Sequence, residues 1–195
     1  MGSSIGVGLI GLGTVGSGVV RLLRDAPAAM QRRNLDFQLR RVAVADVAKK
    51  RGVDIGARLL TADAMEVIDD PDVQLVVELS GAASAKEWIA AALARGKDVV
   101  TANKAVLAAH GEELFGLALA NGVDLMFEAS VAGGIPIIRS LRGGLVANEV
   151  ESLYGILNGT TNYILTRMTR REGGYSEILA DAQEKGFAEP DPAMD

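Results

Sequence analysis

An α/β fold built on a doubly wound parallel sheet, followed by the beginning of a second, α+β domain, is what this sequence predicts. Three observations carry that expectation. Apolar strand-like runs alternate with helical patterns from Ile5 to Ala129. A Gly-x-Gly-x-x-Gly motif stands between the first run and the first helical pattern. After Gly133-Gly134 the alternation gives way to a different pattern. Strands that alternate with helices close into a parallel sheet through right-handed crossovers. The boundary is placed at Gly134, giving a dinucleotide-binding domain over 1–134 and an incomplete second domain over 135–195.

The elements follow in order. Ile5 to Ile10 reads as a short buried strand, and Val15, Val19, Leu22 and Leu23 recur at helical spacing as far as Arg24, with Pro27 at or beyond the helix end. Phe37 to Ala45 reads as a second strand closed by Asp46, and Leu75 to Leu79 as a third. Lys86 to Ala94 is helical with Gly96 as its stop, Asp98 to Thr101 is a fourth strand, and a helix runs from about Glu112 to Ala120. Val123 to Ala129 reads as a fifth strand. Beyond the boundary, Pro136 to Leu141 and Thr161 to Arg171 read as helices, Val150 to Leu157 as a strand, and Glu184 to Asp195 as an acidic loop.

Composition narrows the function. The 195 residues are 49% hydrophobic, enough for one full domain and part of another. No cysteine is present, which removes disulfides, thiolate nucleophiles and thiolate zinc sites. His110 is the single histidine, so histidine-rich metal sites are excluded. No run approaches the ~18 apolar residues of a membrane span, and no secretory leader is visible. A cytoplasmic protein that engages no membrane is the expectation. The formal net charge of −5 argues against a nucleic-acid partner.

The glycine motif points to a dinucleotide of the NAD(P) kind, because it follows a strand and opens a helix. Gly11 permits the tight turn, Gly13 lets the backbone approach a pyrophosphate, and Gly16 lets helix and strand pack closely. Thr14 and Val15 lie in the first helical turn, whose free N–H groups favour phosphate. Ser80, just past the third strand, is counted with the cofactor-binding positions. This is the Rossmann-type arrangement. An acid ending the second strand accepts from a ribose 2′-hydroxyl and repels a 2′-phosphate. Asp46 fills that place, with an insertion from Ala26 to Phe37 lengthening the spacing. Lys49, Lys50 and Arg51 stand against it as cations able to clamp a 2′-phosphate, or as a solvated run. NAD is favoured and NADP stays open.

Other candidates sit at strand ends. Lys104 follows the fourth strand and opens a helix, where the dipole disfavours a cation. A bound anion or carbonyl is one reason for it, and an exposed surface lysine the other. Glu128, followed by the loop Val131 to Ile135, offers a carboxylate and backbone carbonyls to a hard cation, or else caps a helix. Thr160 or Thr161 suits a helix N-cap, or a contact to substrate. Glu189, Asp191 and Asp195 form an acidic patch able to attract an ammonium group, or a solvated tail.

Four segments together resemble the homoserine dehydrogenase family across the whole chain: 99–105 (VVTANKA), 128–136 (EASVAGGIP), 155–165 (GILNGTTNYIL) and 186–192 (GFAEPDP). The resemblance implies NAD(P)H-dependent reduction of L-aspartate 4-semialdehyde to L-homoserine, in the route to threonine and methionine. It implies Lys104 beside cofactor and substrate, Thr160, Glu189 and Asp195 at the substrate, and Gly186 at the cofactor. A sodium ion on Glu128 and the carbonyls of Val131, Gly133 and Ile135 is implied too, as is a homodimer of the full-length protein. Ala45 stands where the family often has arginine, which weakens the case for NADP, and Phe187 stands where tyrosine is common. The chain stops before the family's further catalytic residues, so a truncated chain of doubtful turnover is expected. The rival is a non-catalytic NAD(P)-binding module. Another dehydrogenase on this fold is also conceivable, though one that acylates a cysteine is excluded.

Overall fold

The first strand, β1 (Ser4–Ile10), is buried along Gly6 to Ile10 and lies at the centre of a parallel sheet. The computed structural model describes residues 4–25, 32, 35–156 and 158–188, and it divides into two units, Met1–Arg139 and Ser140–Asp195. In the first unit the order is β1, α1 (Thr14–Asp25), β2 (Asp36–Ala43), β3 (Leu60–Thr61), α2 (Ala64–Ile68), β4 (Leu75–Glu78), α3 (Ala85–Ala94), β5 (Asp98–Thr101), α4 (Lys104–Asn121), β6 (Leu125–Met126) and the short α5 (Ile137–Arg139).

The six strands lie in the order β3-β2-β1-β4-β5-β6, and every described pairing is parallel. The chain winds outward from β1 to β3, then crosses back to β4 and winds the other way. The carboxyl ends of β1 and β4 therefore flank the reversal point, where open α/β sheets bind ligands.

Period-two alternation splits the core between the sheet's faces. Val7 and Leu9 of β1, Val42 of β2 and Val77 of β4 pack with Val20 of α1. Ile10, Ala43, Val76 and Val99 pack with Val67 and Ile68 of α2, Ile89 and Leu93 of α3, and Leu114 of α4. Each of the larger fully buried side chains contributes about 1.5–3 kcal/mol of burial. At the opposite strand ends the buried Lys97 ammonium donates to the carbonyls of Asp70 and Val73, both at 2.6 Å.

Several elements differ from expectation. On α1 the buried stripe is Gly16, Ser17 and Val20, while Val15 and Leu22 are exposed. Two small residues bring that helix close to the sheet. α4 begins at Lys104, not near Glu112, because Asn103 caps it and Gly111 lies buried inside it. It ends at Gly122 in the left-handed region, φ 65°. The expected fifth strand shrinks to β6. Phe127 turns to meet Phe115 edge-on at 5.2 Å, and Glu128 opens a 3-10 turn. β3 and α2 have no counterpart in the sequence reading.

The second unit, among the described residues, carries a single π turn (Ser140–Gly144) and the helices α6 (Gly159–Thr169) and α7 (Tyr175–Glu184). Ile164, Ile178 and Ala182 are its buried apolar residues. Asp181 joins the two helices, accepting from Tyr163, Arg167 and Lys185. The strand expected over Val150 to Leu157 is not formed across 150–156. A strand needs a partner for its N–H and C=O groups, and no described strand of this unit supplies one. The side chains of Val150, Leu153, Tyr154 and Ile156 are exposed there. Nor is Glu184 to Asp195 a loop from its start, since Glu184 still belongs to α7.

Candidate functional site

At the carboxyl ends of β1 and β4 the first unit holds a cavity of about 930 Å³. Its wall includes Gly11, Gly13, Thr14, Asp46, Lys50 and Ser80. The turn after β1 builds it. Gly11 has φ 98°, and a Cβ there would come within 2.7 Å of the Ser80 backbone, so no other residue fits. Its N–H donates to the Ala43 carbonyl at 2.9 Å, tying the turn to the end of β2. A Cβ on Gly16 would lie 2.2 Å from the Gly11 carbonyl oxygen. Gly13 differs: a Cβ there would meet no atom within 4 Å, and its φ is outside the left-handed region. Nothing within the described protein requires glycine at 13. The space its missing side chain leaves open adjoins the N-terminus of a 12-residue helix with no acid in its first turn. That is the cradle a pyrophosphate fits. Val15 and Gly16 follow Thr14 on α1 and are not part of this wall.

Asp46 is exposed, and its Oδ1 accepts from the Ala48 N–H at 2.8 Å. Arg51 folds over the same loop, donating to the carbonyls of Lys49 and Asp46. Arg21 reaches from α1 to the Gly52 carbonyl at 2.9 Å. Arg21, Lys49, Lys50 and Arg51 line the cavity beside Asp46, so one acid and four cations share this end of it.

The next loop, after β5, holds Lys104 as the first residue of α4, with Asn103 Oδ1 accepting from the Val106 N–H at 3.1 Å. Lys104 is exposed and is not part of the cavity wall. Its ammonium has no ion-pair partner among the described residues. One strand further, both Glu128 carboxylate oxygens accept backbone N–H groups, from Ile138 at 3.0 Å and Arg139 at 2.8 Å. The glutamate thus caps α5. The following loop carries Ala132 at φ 53° and Gly133 at φ 59°, and the Ile135 carbonyl accepts from the Ile137 N–H at 2.8 Å. Carboxylate and carbonyl oxygens each keep a second lone pair. This all-oxygen donor set suits a hard cation of low charge. No group of three or more acidic or histidine side chains is gathered for a metal among the described residues.

Thr160 and Gly186 lie in the second unit. Thr160 is buried, and its hydroxyl donates to the Phe187 carbonyl. Neither Thr160 nor Thr161 caps α6. Asn158 does, accepting from the Thr161 N–H at 2.6 Å. Gly186, φ 71°, turns the chain after α7, and Phe187 meets Tyr163 edge-on at 5.2 Å. Glu189 and Asp195 lie outside the described residues, as does Asp191.

A group absent from the sequence reading stands at the centre. The Glu78 carboxylate, at the end of β4, is fully buried, with no ion-pair partner among the described residues. It accepts from the Ser80 N–H at 2.8 Å, the Ser80 hydroxyl at 2.6 Å and the Thr101 hydroxyl at 2.9 Å. An acid within the apolar run Leu75 to Leu79 was the available signal, because a buried polar group demands partners.

The reversed sheet, the glycine turn and the acid in the loop after β2 are those of a dinucleotide-binding α/β protein of the dehydrogenase kind. Comparison with known proteins agrees. The model for the homoserine dehydrogenase NAD-binding domain matches residues 11–128, and that for homoserine dehydrogenase matches 136–195. The chain belongs to the homoserine dehydrogenase family. It is 47% identical over 194 residues to the homoserine dehydrogenase of Bacillus subtilis (strain 168), covering 98% of this chain and 45% of that protein. The crystal structure of a homoserine dehydrogenase from Thiobacillus denitrificans superposes with a TM-score of 0.90 at 45% identity, over 99% of this chain and 45% of that one. A hyperthermophilic archaeal homoserine dehydrogenase in complex with NADPH gives 0.82 at 25% identity, over 99% of this chain and 65% of that one. The chain thus spans just under half the length of the curated relatives it matches.

Proposed function

We propose that this chain forms the cofactor-binding part and the start of the catalytic part of an NAD(P)-dependent homoserine dehydrogenase, which reduces L-aspartate 4-semialdehyde to L-homoserine. The observation that carries the cofactor reading is the open space at Gly13, on the wall of a cavity whose neighbouring glycines are demanded by the protein itself. A bound nicotinamide supplies the hydride, and the protein aims it. Negative charge then builds on the aldehyde oxygen. The Lys104 ammonium stabilises that charge and can give a proton. Gly186 extends the cofactor contacts, and Thr160 acts at the substrate by holding the Phe187 turn. Glu189 and Asp195 hold the substrate's polar groups.

Asp46 favours NAD, since a carboxylate at this edge accepts from a 2′-hydroxyl and repels a 2′-phosphate. The Arg51 guanidinium, directed to its own loop, is less free to offset that repulsion. A sodium ion fits Glu128 with the carbonyls of Val131, Gly133 and Ile135. The full-length protein is read as a homodimer and the domain boundary as Gly134.

The test is titration of the purified chain with NADH and NADPH, followed by nicotinamide fluorescence, then addition of aspartate semialdehyde to the tighter binder. Saturable binding with NADH tighter is expected. A chain folded by circular dichroism that binds neither refutes the cofactor reading. Binding without oxidation of the cofactor assigns essential chemistry to sequence this chain lacks.

A further inference from the structure

The hydrogen-bond directions around Glu78 can be read off one by one. The Ser80 hydroxyl accepts from the Ala82 N–H at 3.1 Å and donates to one Glu78 oxygen at 2.6 Å. The Thr101 hydroxyl accepts from the Asn103 N–H at 3.0 Å and donates to the other Glu78 oxygen at 2.9 Å. Two turns of the same kind, one after β4 and one after β5, are therefore closed on a single carboxylate. The first turn presents Ser80 to the cavity. The second leads through Asn103, which caps α4, to Lys104. The Thr101 carbonyl also accepts from the Ser130 hydroxyl at 3.0 Å, which ties in the Glu128 turn. Buried polar groups joined in this way are stabilised only while every member is satisfied.

We propose that Glu78 is a positioning residue that holds the Ser80 turn and the Thr101–Lys104 turn in register, so that both face the nicotinamide end of one bound dinucleotide. This rests on the cofactor reading above. Glutamine is not equivalent here. Two donors from Ser80 converge on one oxygen and hold the amide oxygen there, so the amide NH₂ faces Thr101. That group cannot accept the threonine's proton, which is left without its acceptor at a buried position, so the second turn is weakened while the first keeps its closure.

The experiment compares the unsubstituted chain with Glu78→Gln, Thr101→Ser and Thr101→Val. NADH affinity is read by nicotinamide fluorescence, thermal midpoint by circular dichroism, and amide hydrogen exchange at Ala82 and Asn103. With Glu78→Gln, NADH binding weakens about tenfold, the scale of one lost hydrogen bond to a charged group. Asn103 exchanges faster while Ala82 does not. Thr101→Ser behaves as the unsubstituted chain, and Thr101→Val weakens binding as Glu78→Gln does. If Glu78→Gln fails to fold, the Thr101 pair decides: equal affinity of Ser and Val overturns the proposal. So does unchanged affinity in a folded Glu78→Gln, or equal acceleration of both amides. Failure of the unsubstituted chain to bind NADH overturns the cofactor reading and this proposal with it, whereas binding unaffected by any of the variants overturns this proposal alone.

Discussion

A single methyl group at residue 13 separates what the fold needs from what the ligand needs. In Gly13→Ala the new Cβ meets no atom within 4 Å, and the backbone there is outside the left-handed region. The folded state therefore accepts alanine without strain, and the unfolded chain loses conformational freedom. The gain from the unfolded chain, about 0.4–1 kcal/mol, is offset because Gly13 precedes α1 as its N-cap, its carbonyl accepting from the Ser17 N–H at 2.9 Å, where glycine is preferred to alanine, so the thermal midpoint should move little. The same methyl stands where the backbone must approach a pyrophosphate. NADH binding should weaken at least about tenfold, or ~1.4 kcal/mol. Gly16→Ala is the contrasting perturbation. Its Cβ would lie 2.2 Å from the Gly11 carbonyl oxygen, backbone against backbone, and overpacking of that kind costs about 1–3 kcal/mol. It should lower the midpoint and weaken binding together. Circular dichroism melts and nicotinamide fluorescence on both variants read the two quantities separately. A Gly13→Ala chain with unchanged NADH affinity refutes the ligand role of the open space. A Gly13→Ala chain that melts well below the unsubstituted one refutes the claim that the fold is indifferent there.

Three further outcomes are expected. Asp46→Asn keeps an oxygen for the Ala48 N–H but removes the charge, so the NADPH-to-NADH affinity ratio should rise about tenfold (~1.4 kcal/mol) in paired titrations. Lys97→Met deletes two charge-assisted hydrogen bonds at the edge opposite the cavity, so denaturant midpoints should report a loss of about 2 kcal/mol while NADH affinity is unchanged. In the second unit, the hydrogen bond from Tyr163 and then that from Lys185 hold the Asp181 carboxyl below its ordinary range. A depressed carboxyl stabilises the fold above its unfolded value near pH 4, and this contribution disappears as pH falls through the folded value. The gap in thermal midpoint between the unsubstituted chain and Asp181→Asn should therefore be full at neutral pH and close on acidification. A gap that does not change with pH refutes that account.

The central part of the fold was legible because strong period-two and period-3.6 patterns flank a motif with one physical reading. β1, β4, β5 and α3 lie within a residue or two of where Ile5–Ile10, Leu75–Leu79, Asp98–Thr101 and Lys86–Ala94 put them. β3 is two residues long and α2 five, too short to repeat any pattern, and they form because the sheet's edge and face receive them. α4 begins at Lys104, well before the Glu112 of the sequence reading, and tertiary packing buries Gly111 within it. At the site, the sequence pointed to Gly11, Gly13, Asp46 and Ser80, and the structure sets them around one cavity. Glu78 escaped because its importance lies in partners at Ser80 and Thr101, and the pairing of β4 with β5 is invisible in the chain. The helix-capping alternative for Glu128 is the geometry observed, and it leaves oxygen lone pairs for the cation proposed there.

The crossing-back of the chain between β3 and β4 has a consequence for synthesis. β1 and the glycine turn leave the ribosome well before β4, and β1 gains its second neighbour only when β4 has emerged. The Ser80 turn is braced only after Thr101 has followed. Long-range strand pairing of this kind is slow, because the intervening chain must be closed before any contact rewards it. A nascent chain thus carries its glycine turn for most of the first unit's translation without a crevice around it. Nucleotide binding then reports a sheet that has already closed, and the cofactor stabilises only those chains that have completed it.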